Sequence, residues 1–183
     1  MSEGSALFIF SGLPGSGKTT LAKALARRIG GAYIRIDTIE QALRDLCAVD
    51  VEAEGYRLAY RVASDNLRAG LSVVADSCNP IEVTRREWER LALDAGVPYV
   101  NIEIICSDVQ QHRDRVESRI ADVIGLELPT WSEVSSREYD PWTRERLVID
   151  TAARTPAESE VELLNLLAAR GLLESKLDVL PSG

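Results

Sequence analysis

Eight residues near the N-terminus constrain this chain most: Gly12-Leu13-Pro14-Gly15-Ser16-Gly17-Lys18-Thr19. Before them, Ala6-Leu7-Phe8-Ile9-Phe10 is a short, continuously apolar run, the pattern of a strand buried on both faces. After them, Leu21, Ala24, Leu25 and Ile29 recur at helical spacing over residues 17–29, until Gly30-Gly31 stops the helix. The turn itself fits the spacing G-x-x-x-x-G-K-[ST], Walker A. Its glycines let main-chain N–H groups turn inward without Cβ clashes. Those groups and the positive end of the helix make a cradle for anions. Lys18 is placed to reach the β- and γ-phosphates of a nucleotide, and the Thr19 hydroxyl to ligate Mg²⁺. Gly12, Pro14, Gly15, Ser16, Gly17, Lys18, Thr19 and Thr20 are therefore the candidate nucleotide-binding residues.

The rest of the chain continues the alternation of strand and helix. Strands are expected at Tyr33–Ile36, Leu71–Ala75, Val100–Cys106 and Arg146–Asp150. Asp37, with Glu40 three residues on, reads as a capping box opening a helix. Another helix is expected over about 51–69. Asn79-Pro80 with Glu82 reads as N-cap, first turn and N3 of the next helix, which Gly96 ends. Asp108 with Gln111 caps a helix, and Thr155-Pro156 with Glu158 caps a last one reaching about Arg170. Residues 121–145 lose the pattern, too long a stretch for an ordinary connection and so a candidate lid. Five strands alternating with helices imply an α/β fold with a parallel sheet covered on both faces. One domain over 1–171, with the lid at about 113–145 and a short C-terminal appendage at 172–183, accounts for the length.

Composition bounds the partners. The 183 residues carry 21 Lys+Arg against 29 Asp+Glu, a net charge of −8, which disfavours binding along a nucleic-acid backbone. Three separated cysteines and one histidine, His112, exclude a disulfide framework and a structural zinc site. His112 reads as a surface or capping residue. No segment has the length of a membrane span and no signal peptide is evident, so a cytoplasmic protein is expected.

Other residues stand where chemistry could use them. Asp37 and Asp76 end the second and third strands, the edge that faces the ligand crevice in open α/β sheets. Asp37 is a candidate general base toward an acceptor hydroxyl, and Asp76 a candidate metal-site carboxylate with Thr19. Arg115 and Arg119 share a helical face leading into the irregular segment and could neutralise phosphate charge. Thr155 and Pro156 could support a nucleotide base, although capping explains both. Trp131, Tyr139 and Trp142 either line an acceptor pocket or anchor the irregular segment. Tyr56 and Tyr60 read as core or pocket wall.

Gly12–Thr19, Arg35-Ile36-Asp37, Val74–Asn79 and Cys106–Asp108 with Arg113, Arg115 and Arg119 together resemble the AAA-domain small kinases of the P-loop class. That group is similar to zeta toxins, chloramphenicol phosphotransferase, gluconate kinase and polynucleotide kinase, over about residues 5–170. The resemblance implies a three-layer P-loop NTPase fold with strand order 2-3-1-4-5 and an arginine-bearing lid. It further implies Asp37 as the acceptor base and the Arg115/Arg119 region as lid, but stops short of a substrate. Taken with the glycine turn, it points to a kinase with ATP and Mg²⁺ as cofactors, Lys18, Asp37, Arg115 and Arg119 as catalytic residues, and a hydroxyl of a small molecule as acceptor. Glu40 stands where polynucleotide kinases tend to place an arginine, and the His-rich signature of gluconate kinases is absent. A polynucleotide 5′-hydroxyl, a nucleotide sugar, or a regulator with weak NTPase activity are the alternatives. No Asn-Lys pair exists, so the guanine motif of GTPase switches is missing.

Overall fold

A computed structural model of the chain describes residues 4–173. Its order is β1 (Leu7–Ser11), α1 (Lys18–Ile29), β2 (Ala32–Arg35), α2 (Ile36–Cys47), α3 (Glu54–Arg68), β3 (Val73–Asp76), α4 (Glu82–Ala95), β4 (Tyr99–Ile105), α5 (Val109–Ser118), α6 (Trp131–Ser135), β5 (Leu147–Asp150) and α7 (Pro156–Ala169). The sheet is five-stranded and parallel throughout, in the expected order β2-β3-β1-β4-β5.

All five residues of β1 are buried because neighbouring side chains feed opposite layers. Phe8 and Phe10 join Ile102, Ile104 and Ile149 beneath α1 and α7, through Leu21, Leu25, Leu163 and Leu167. Leu7 and Ile9 join Val73 and Ala75 beneath α3 and α4, through Ala59, Ala63, Leu67 and Trp88. Of the expected appendage, Leu172 and Leu173 pack against the first layer; residues 174–183 lie outside the described residues.

Parallel register decides what meets at the carboxyl edge. Phe10 and Arg35 both pair with Asp76, so β3 delivers its last carboxylate between the strand leading into the glycine turn and the strand leading into α2.

Several boundaries differ from expectation for physical reasons. Helix α2 begins at Ile36 with Arg35 as N-cap, so Asp37 sits in the first turn and makes no capping box with Glu40. Helix α4 begins at Glu82, and Asn79 is not its cap. The Glu82 N–H donates instead to Asp140 Oδ2 at 2.8 Å, a cap supplied from 58 residues away. The irregular segment contains α6, opened by a Thr130–Glu133 capping box. The Asp108 cap, accepting from the Gln111 N–H, and the Thr155–Glu158 capping box form as expected.

Candidate active site

The glycine turn joins β1 to α1, and packing makes its glycines obligatory at two places. A Cβ on Gly12, at φ +141°, would lie 2.3 Å from the Ile104 carbonyl oxygen. One on Gly15, at φ +83°, would lie 2.5 Å from Val116 Cγ2. The main chain thus runs against β4 and α5 with no room for side chains, its N–H groups turned to the open side. Gly17 caps α1 without a side-chain bond, leaving the first-turn amides available. Among the described residues, the Ser16 hydroxyl is buried without a partner in the same cradle.

His112 braces this turn, correcting its surface reading. It is buried, its Nε2–H donates to the Pro14 carbonyl at 2.8 Å, and Trp131 stacks edge-on against its ring. Thr151 braces the other side, its hydroxyl 2.8 Å from the Ser16 carbonyl.

Lys18 Nζ lies 3.3 Å from Asp76 Oδ1, both side chains almost wholly buried. Burial disfavours the Lys18 ammonium, but Asp76 and, with smaller contributions, Cys78 and Asp37 together raise the pKa above the ordinary lysine value. Burial likewise pushes the Asp76 carboxyl up; the Lys18 charge and hydrogen bonds from the Tyr33 and Thr19 hydroxyls bring it below the usual carboxylate range. Tyr33 donates to Asp76 Oδ2 at 2.6 Å.

Arg35 is the hub of three carboxylates. It lies 3.3 Å from Asp37, 3.9 Å from Asp76 and 2.8 Å from Asp122. Asp122, on the stretch after α5, also takes Lys23 of α1. Partly opposed by burial, hydrogen bonds from Lys23 and Arg35 lower its carboxyl to about 2.

The cavity over these groups has a volume of about 1110 Å³. A single-ligand pocket is commonly about 300–1,000 Å³, so this one has room for two. One end is bounded by the glycine turn, Thr151, Arg154 and Pro156; the other by Asp37, Glu40, Gln41, Arg44 and Arg137. Of the expected nucleotide residues, Pro14, Gly15, Gly17, Lys18, Thr19, Thr20 and Pro156 line it. Thr155 is engaged in its capping box and is not on the wall, while Asp76 lies buried below. Arg115 lines the wall with its guanidinium tied to Thr151, at 2.7 Å to the hydroxyl and 3.0 Å to the carbonyl. Arg119 also lines it, its Nε buried without a partner among the described residues. Burial, and Arg35 nearby, lower its pKa against the pull of Asp37. Arg113 pairs with Glu117 on an exposed face.

Asn79 is wholly buried at φ +45°, its amide donating to the Phe10 carbonyl and the Ser11 hydroxyl, each at 3.1 Å. Gly12 N–H donates to the Cys78 carbonyl at 3.1 Å, so residues 78–79 fix where the turn leaves β1. Trp131, Tyr139 and Trp142 do not line the cavity; they anchor. Tyr139 and Trp142 stack on Arg85 of α4, their ring centroids 4.9 and 4.1 Å from its guanidinium carbon.

Sequence reasoning passed over Gln41, Arg44, Thr151, Arg154 and Arg137 on the cavity wall. For the residues after β5, the carboxyl-edge rule that singled out Asp37 was a usable signal. Arg137, in a patternless stretch, gave none.

The fold and the site define a P-loop kinase, a nucleotide-binding transferase. The chain belongs to the AAA domain family, whose model matches residues 7–127. It is 25% identical to a probable adenylyl-sulfate kinase of Aeropyrum pernix, over 87% of this chain and 90% of that protein. It is 32% identical to a shikimate kinase of Frankia casuarinae, over 89% of this chain and 71% of that protein. The structure of the Mycobacterium tuberculosis APS kinase CysC, in complex with AMPPNP and APS, shares the fold at TM-score 0.66 and 20% identity, covering 90% and 98% of the two chains. These likenesses make the chain a small-molecule kinase and favour neither a polynucleotide acceptor nor a regulatory switch. No described helix is long and apolar enough to cross a membrane.

Proposed function

We propose that the chain transfers the γ-phosphoryl group of ATP to a hydroxyl of a small molecule, with Asp37 as general base. The observation that carries this reading is one continuous cavity holding the phosphate cradle and, beyond it, a carboxylate half-open to the cavity and held by Arg35. Asp37 accepts the acceptor's hydroxyl proton as its oxygen bonds to the γ-phosphorus and the bond to the β–γ bridging oxygen breaks, releasing ADP. The turn amides and Lys18 hold the phosphates, and Arg115 and Arg119 neutralise charge on the transferring group. Pro156, with Arg154, is placed beside the nucleotide's far end, and the stretch after α5 is the segment that closes over the transfer.

Mg²⁺ fits the donors present. Thr19 offers a hydroxyl against the buried Asp76 carboxylate, and hard oxygen donors suit this ion. Among the described residues no three metal-binding side chains gather, which suits an ion held mostly by nucleotide phosphates. When bound, the ion would neutralise charge on those phosphates. Three free cysteines support a cytoplasmic setting.

The relatives named above act, by their names, on adenylyl sulfate and shikimate, which supports a small acceptor. Asp37→Ala is expected to abolish phosphoryl transfer in a metabolite panel while nucleotide affinity, by calorimetry, stays within about threefold. Transfer persisting near the wild-type rate would remove Asp37 as base.

A further inference from the structure

Charge is unevenly divided between the cavity and the rest of the molecule. Seven basic side chains and four carboxylates line the cavity, in a protein of net charge −8. Most of these cations are already engaged. Lys18 has Asp76, Arg35 has its carboxylates, Arg44 has Glu40 at 3.5 Å, Arg154 has Glu162, and Arg115 is tied to Thr151. Among the described residues, only Arg119 and Arg137 of the lining cations lack both a carboxylate and a Thr151 tether. Arg119 lines the cavity with its Nε unpartnered there, in the field of Asp37. Arg137 lies farther on, beside Cys78 and within the field of Glu40, one turn along α2 from Asp37.

Among the described residues, the one polar side-chain contact of Arg137 is Cys78 Sγ, 3.8 Å from Nη1, a weak and neutral partner. Yet the main chain carrying it is fixed at both sides. Arg137 N–H bonds the Val134 carbonyl at the end of α6. Three residues on, Asp140 N–H donates to the Pro80 carbonyl at 2.8 Å, and its carboxylate caps α4. Buried Arg85, stacked by Tyr139 and Trp142, donates to the carbonyls of Asn79 and Pro80 and clamps this arm to the wall of the glycine turn. A guanidinium on a pinned arm has lost part of its ordering entropy before a ligand arrives. Its planar fork matches a carboxylate, sulfate or phosphate group and has little to offer a neutral polyol.

Taking the Asp37 end as the acceptor end, as the proposed function does, we infer that the acceptor carries an acidic group and that Arg137 receives it, with Arg44 alongside. The hydroxyl to be phosphorylated then lies within one small molecule of that group, toward Asp37. Arg137 sets which acceptor is used; it does not enter the transfer itself.

The test starts from protein saturated with Mg²⁺ and a non-hydrolysable ATP analogue, which fills the phosphate cradle. Failure of the analogue to bind would count against the proposed function and is read separately. Inorganic sulfate is then titrated by calorimetry. Expected is sulfate uptake by the wild type, weakened about tenfold or more in Arg137→Gln and partly restored in Arg137→Lys, with analogue affinity within about twofold throughout. A wild type that takes up no sulfate, or an Arg137→Gln variant that takes it up equally well, overturns the assignment. A second arm assays phosphorylation of hydroxylated carboxylates, sulfate esters and phosphate esters, each beside its amide, desulfo or dephospho counterpart. The wild type should prefer the acidic member by about a hundredfold in kcat/KM, and Arg137→Gln should lose most of that preference through KM. Which acidic series is used separates carboxylate from sulfate and phosphate. Neutral counterparts turned over within about tenfold of the acids would sink the proposal.

Discussion

At the residue scale the decisive pair is Lys18 and Asp76. Two opposite charges share a site that water barely reaches, and each stays ionised because the other does. Such a pair is weak evidence for stability, but breaking it is costly, because one charge is left behind. Asp76→Ala should therefore lower unfolding stability by about 3 kcal/mol in urea melts. Adding Lys18→Met should return most of that loss, since no orphaned ammonium remains. An Asp76→Ala protein as stable as wild type would mean Lys18 escapes to solvent. The pH dependence has a definite sign. The Asp76 pKa is depressed on folding, so its contribution is fully present above the unfolded carboxylate value of about 3.9 and lost as pH falls through the folded value. Below about pH 4 the stability gap between wild type and Asp76→Ala should narrow.

At the scale of elements, local signatures were readable and their use was not. Thr155 and Asn79 carry the same kind of cap signal. Thr155 forms its box with Glu158, and Thr155→Ala should cost about 1 kcal/mol by thermal or urea melt, an unchanged midpoint telling against the cap. Asn79 is instead drawn to Phe10 and Ser11, 69 and 68 residues away, an attraction no window around Pro80 contains. The alternation that gave five strands and their flanking helices is local and so was legible. The arm bearing Arg137 depends on Arg85, which shares a helical face with Trp88 and Ala92 but whose charge hides its burial, and which folding packs against two rings. The box opening α6 follows the readable pattern Thr130-x-x-Glu133, yet the helix is five residues long, too short to show a period. The stretch after α5 has its own tether in Asp122, which joins it to Lys23 and Arg35. Asp122→Asn should speed amide hydrogen exchange over residues 120–127 by about tenfold. Because the carboxylate is 47% exposed, global stability should change by under about 1 kcal/mol. With its pKa near 2, below the unfolded value, the tether holds at neutral pH and lets go only as pH falls toward about 2. Unchanged exchange would show that packing alone holds the stretch.

On the scale of the whole molecule, the acidic composition and the basic cavity act together. Net charge −8 repels polyanions approaching the general surface, while the cavity, with its surplus of guanidiniums, concentrates small anions at one place. A long polymer has to lie along the repelling surface to reach the cavity; a nucleotide or a small acid does not. This is why the composition could be read against a nucleic-acid partner and still be compatible with a phosphate site. The field that does this is screened by salt, with a Debye length near 10 Å at about 0.1 M and near 3 Å at about 1 M. At fixed free Mg²⁺, the affinity for a fluorescent ATP analogue should therefore fall several-fold between about 0.05 and 0.5 M KCl, mostly through a slower association rate. Arg137→Gln should leave that slope nearly unchanged for the nucleotide, which under the proposed function is held by the glycine turn and Lys18, and flatten it for inorganic sulfate measured on the nucleotide-loaded protein. Nucleotide affinity indifferent to salt would mean that amide hydrogen bonds in the turn, rather than the cavity's field, govern capture.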